Sequence, residues 1–167
     1  TSPFIVHLPG FEGDIGSVFT TNELYWLPYT VFSLLPSEIS EVRFENLADT
    51  ASSFAISRGM NLFSLSDGRK ALAGWDSSRV RRYISYFTLV PFESWALSLS
   101  EQDTDSIMGE DPFCRIHVRK TDGITIGLTL WERNDAVSGK RDSDRVWGKT
   151  AARKDLFILR YFDIDPI

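Results

Sequence analysis

Gly148-Lys149-Thr150 is the segment of this chain that most resembles a reactive motif, the end of a phosphate-binding loop. That loop needs a glycine where Ser143 stands, and it must join a strand to a helix so that backbone N–H groups cradle phosphate. Neither condition is met, and the segment reads as a strand after a loop. Gly10, Gly13 and Gly16 recur at every third position. Dinucleotide binding requires a different spacing that opens a helix, so these glycines read as turn or bulge positions. Three Asp-x-Asp pairs, Asp103/Asp105, Asp142/Asp144 and Asp163/Asp165, supply the close oxygens a hard cation prefers. A calcium loop counted from Asp103 would place glycine and glutamate where Met108 and Cys114 stand, so these acids read as solvated loop residues.

His7 and His117 lie in separate strand patterns, without the i, i+4 pairing of a helical zinc site. With one cysteine, a structural zinc site would have to recruit a carboxylate. Cys114 occupies an inward strand position, which denies it the exposure and low pKa of a nucleophile, and it reads as a small core hydrophobe. The 23 acids offer many pairs for general acid–base work, and nothing in their spacing selects one. No catalytic residue, metal ligand or cofactor is assigned. Among five tryptophans, Trp75 and Trp95 flank the main helix and are expected to pack under it. Trp26, with Tyr25 and Tyr29 in a proline-bracketed segment, is the one aromatic cluster to test for exposure.

The elements that must position these groups are those of an α+β fold, mainly antiparallel sheet in meander and hairpins, covered by one main amphipathic helix. Pro3–Leu8 and Gly16–Thr21 read as short strands, and Thr21–Trp26 as a helical turn capped by Thr21 or Asn22. From Ser40, Val42 and Phe44 alternate with Glu41, Arg43 and Glu45. Phe54–Ile56 and Leu62–Leu65 follow after short turns, which predicts a meander. Asp76 caps a helix whose Val80, Tyr83, Ile84 and Phe87 fall on one stripe, ended by Pro91. Thr121-Asp122-Gly123 joins Cys114–Lys120 to Ile124–Trp131 in the strongest hairpin of the chain. Asn134–Asp144 reads as a charged loop, and Arg145–Lys149 and Asp155–Asp163 as the closing strands.

Size and charge bound the rest. At 167 residues, 43% of them apolar and 13% aromatic, residues 1–167 suit a single domain with a full core. The polar, acidic stretch 98–111 marks a soft internal division. A formal charge of −5 sets a repulsive field against a phosphate backbone. The basic runs Arg79–Arg82 and Arg115–Lys120 read as solvated faces, so no nucleic acid is expected as partner. No apolar run approaches the ~20 residues that span a bilayer. Starting at Thr1-Ser2-Pro3, the chain reads as a trimmed piece, which puts any targeting segment upstream.

Two blocks carry a resemblance. His7-Leu8-Pro9-Gly10-Phe11-Glu12-Gly13, followed by Tyr25-Trp26 and Val31-Phe32, is the first. The second runs from Asp142 through Asp144-Arg145-Val146-Trp147-Gly148 to the closing Asp155–Ile167. Together they resemble the bacterial domain of unknown function 4340 family, over most of the chain and corresponding to the C-terminal portion of that domain. The resemblance implies an extracytoplasmic protein of the cell envelope, membrane-anchored through a segment outside this chain, with some relatives in genomic settings that hold transporter components. It supplies no catalytic residues. The expectation is therefore a non-catalytic protein-interaction or assembly module with protein partners in the envelope, possible contacts being Phe11, Trp26 and Tyr29. A carbohydrate-binding or glycan-processing protein, using exposed aromatics and a carboxylate pair, is the alternative.

Overall fold

The computed structural model describes residues 10, 20–60, 62–135 and 138–167. The expected strand Pro3–Leu8, nearly all of Gly16–Thr21, and the side chains of His7 and Phe11 lie outside them. An eight-stranded, wholly antiparallel sheet dominates the fold. Its strands are β2 (Ile39–Asn46), β3 (Phe54–Arg58), β4 (Phe63–Ser66), β6 (Ser94–Trp95), β7 (Cys114–Lys120), β8 (Thr125–Asn134), β9 (Arg141–Thr150) and β10 (Phe157–Arg160). Their order across the sheet is β4-β3-β2-β7-β8-β9-β10-β6. A separate two-stranded ribbon joins β1 (Thr30–Phe32) to β5 (Val90–Pro91). Three α-helices occur among the described residues: α1 (Ser77–Tyr86), α2 (Glu101–Gly109) and α3 (Tyr161–Ile164). The fold is α+β and mainly sheet.

Alternation along each strand decides which face is buried. Val42 of β2, Ile116 and Val118 of β7, Leu128 and Leu130 of β8, Val146 of β9 and Leu159 of β10 point the same way and are buried. The helix α1 lies over this face. Asp76 Oδ1 accepts hydrogen bonds from the N–H groups of Ser78 and Arg79, satisfying donors that the first turn leaves unpaired. The stripe of α1 then buries Val80 and Ile84 and sets Tyr83 edge-on to Phe54 and Phe87. Phe87 meets Phe32 of the ribbon in a second edge contact, so helix and ribbon form one covering layer. Each such side chain removed from water contributes about 1.5–3 kcal/mol.

The hairpin at Asp122-Gly123 forms as expected, with Gly123 at φ +89° and the Lys120 N–H donating to the Ile124 carbonyl. Four segments differ from the sequence reading. The charged loop at 134–144 is shorter than expected, because β8 runs to Asn134 and β9 starts at Arg141, which pair with each other. The closing strand ends at Arg160, and α3 turns the chain so that Ile164 and Ile167 cap the core. The stretch 98–111 contains α2, whose flanks remain in one sheet: β6 before it pairs with β10. Trp95 meets Phe92 and Phe157 edge-on at the end of the sheet, while Trp75 packs against the core.

Candidate functional site: a cleft with an acidic rim beside exposed aromatics

A cleft of about 470 Å³ has three walls and is closed by residues 154–156. The first is the 3-10 turn Glu23–Trp26. Asn22 Oδ1 accepts from the Leu24 N–H at 3.0 Å, which starts the turn and drives the Leu24 side chain inward. The second is the exit of β6, where the Ala96 N–H donates to the Leu156 carbonyl at 3.0 Å and carries Leu97 and Leu99 into the wall. The third wall is α2. Glu101, Thr104, Asp105 and Met108 recur at i, i+3, i+4 and i+7, so one helical face turns toward the cleft.

The start of α2 is fixed by a reciprocal cap. Ser100 Oγ accepts from the Asp103 N–H at 3.1 Å, and Asp103 Oδ2 accepts from the Ser100 N–H at the same distance. The Ser100 hydroxyl also donates to Asp103 Oδ2 at 2.6 Å, and this bond, followed by that from the Ser100 N–H, holds the Asp103 carboxyl below the usual range.

Leu24, Leu97, Leu99, Met108 and Leu156 bring apolar side chains into a cleft that is polar on balance, and its rim carries Glu23, Glu101, Asp105 and Asp155 against the single Lys154. Arg153 leans over the Trp95 ring and approaches Glu23 at 3.9 Å. Negative charge beside leucine and methionine side chains suits a ligand with hydrophobic anchors and positive ends.

Of the expected contact residues, Trp26 is 64% exposed and its neighbour Tyr25 54% exposed, on the turn that forms one wall of the cleft. Trp26 Nε1 donates to the Thr20 carbonyl at 3.0 Å, which orients the indole. Tyr29 is half-buried and stacked on Phe92 at 5.2 Å, with Phe92 in turn stacked on Phe157 at 4.6 Å. It anchors the aromatic segment to the core and leaves Tyr25 and Trp26 as the accessible rings. Phe11 lies outside the described residues.

The other chemical candidates fall elsewhere. Gly148, Lys149 and Thr150 lie within β9, with no helix following. Cys114 is buried, and loss of solvation, reinforced by the charge of Glu45, pushes its thiol pKa up to about 12. Asp142 is buried and accepts from the N–H groups of Asp144 and Arg145 while pairing with Arg133. Those backbone donors, with the nearby guanidinium groups, hold its carboxyl low and give it a structural task. Among the described residues, no three His, Cys, Asp or Glu side chains gather as a metal site. Also among them, no helix is long and apolar enough to cross a membrane.

No family model, curated protein or solved structure matches this chain. The geometry of the cleft is therefore the basis for a functional reading.

Proposed function

We propose that this chain is a non-catalytic protein-interaction module of the bacterial cell envelope, serving assembly and accessory to a transporter. Its partner docks on the cleft and on Tyr25 and Trp26. The observation that carries the reading is that two large aromatic side chains are held exposed on the turn that walls a cleft of about 470 Å³. Aromatic anchors beside a pocket supply much of the energy of protein interfaces. The acidic rim adds selectivity for a partner segment bearing Lys or Arg. The envelope location rests on the resemblance to the domain of unknown function 4340 family, which also motivates the link to transporters.

The test is affinity capture from a solubilised envelope fraction with the wild-type chain and with Trp26→Ala plus Leu97→Ser. The expected result is a defined set of envelope proteins retained by the wild type and lost by the double variant. Equal retention by both chains contradicts the reading.

A further inference from the structure

The sheet face opposite α1 carries a second surface, distinct from the cleft. Strand alternation puts Arg115, His117 and Arg119 of β7 on this face, with Arg43 beside His117 on β2. The basic run in the sequence is thus one row of a two-dimensional patch. The next strand presents Thr129 opposite Arg115, and β9 presents Lys149 opposite Thr129. Arg115 and Lys149 therefore flank the Thr129 hydroxyl across three adjacent strands, with backbones about 10 Å apart. Neither has an ion-pair partner among the described residues, whereas Glu41 holds both Arg43 at 3.3 Å and Arg119 at 3.5 Å. A shallow depression of about 280 Å³ lies alongside, with His117 at its floor. The imidazole lies so close over Gly127 that a Cβ there would come within 3.3 Å of Nδ1.

Charge on this patch opposes that of the molecule. Arg43, Arg115, Arg119 and Lys149 against Glu41 and Glu45 give +2, so the remaining residues of a −5 chain carry −7. We infer that this open sheet face binds an anionic glycan whose carboxylates are spaced along the chain, one of them seated between Arg115 and Lys149 over Thr129. Arginine presents a planar fork that matches a carboxylate. Glu41, Glu45 and the threonine hydroxyls offer acceptors and donors to sugar hydroxyls. The interspersed acids and the −7 background disfavour closely spaced phosphates, which sets single-stranded nucleic acid aside.

The probe is a hyaluronan octasaccharide, in which alternate sugars carry a carboxylate, titrated calorimetrically into the full chain. Neutral dextran and a single-stranded oligonucleotide run in parallel. Binding of hyaluronan and not dextran is expected, weakened at least tenfold by Arg115→Ala plus Lys149→Ala and by added salt. Glu45→Gln, which removes a repulsive charge beside Arg115, is expected to tighten it severalfold. The proposal is overturned if hyaluronan does not bind, if neither variant changes its affinity, or if the oligonucleotide binds more tightly.

Discussion

Arg145 grips Glu93 in a paired geometry, Nε donating to Oε2 at 2.8 Å and Nη2 to Oε1 at 3.1 Å. Arg160 adds a third bond to the same carboxylate at 3.1 Å. Glu93 immediately precedes β6, so this fork fastens the shortest edge strand to β9 and β10.

The bond from Arg145, aided by Arg160, holds the Glu93 carboxyl below its usual range despite partial loss of solvation. A carboxyl lowered in the native state contributes stability above its unfolded pKa and loses it as pH falls through the native one. Glu93→Gln is expected to cost about 1 kcal/mol at neutral pH, the partial exposure of both partners limiting the effect. Urea unfolding at a series of pH values checks this. The gap between wild type and variant should be full at pH 7 and close as the pH falls below the carboxylate range.

Gly148 is required by packing. A Cβ at this position would sit 2.6 Å from Phe157 Cε2, and it would also collide with the Leu159 side chain. Both neighbours belong to the core, so neither can swing into solvent. Gly148→Ala is expected to destabilise by about 1–3 kcal/mol through overpacking, seen as a lower Tm. An unchanged Tm would mean that β10 shifts freely against β9.

Cys114 should be silent in the folded protein. With the thiol buried and its pKa pushed up to about 12, almost no thiolate is available to attack at pH 8. A disulfide reagent such as dithiobis-nitrobenzoate is expected to label it only at the rate of unfolding, and at once in denaturant. Fast labelling of native protein would contradict the burial.

Helix α1 and the β7–β8 hairpin were legible because each pairs a local signal with a periodic one. Asp76 precedes the stripe Val80–Phe87, and Asp122-Gly123 separates two alternating runs. Helix α2 was not, since it buries no residue and shows little apolar stripe; only the Ser100/Asp103 cap marked its start. The end of β8 at Asn134 and the start of β9 at Arg141–Asp144 were read as loop because these residues carry polar side chains, and pairing there is set by the partner strand. The proline-bracketed aromatics singled out Trp26 as a ring to test for exposure, whereas the tethering of Tyr29 by Phe92 depends on a contact 63 positions away. The cleft arises only when Leu24, Leu97 and Leu156 are brought together, which no short window of sequence reveals.

Trp26 contributes little to the fold if its role is to meet a partner. Trp26→Ala is expected to shift stability by only about 0.5 kcal/mol, because most of the ring already faces solvent. Phe92→Ala, which opens a hole beneath Tyr29 among Trp95 and Phe157, is expected to cost about 3–5 kcal/mol. Thermal or urea denaturation of the two variants separates surface from support.

The docking of a partner at the cleft is tested most directly by photo-crosslinking in the native envelope, with benzoylphenylalanine replacing either Trp26 or Phe162. Phe162 is also exposed but sits on α3, at the opposite end of β10 from the cleft. A discrete crosslinked protein from position 26 and none from position 162 is the predicted result. The same adducts from both positions, or none from position 26, would contradict the account.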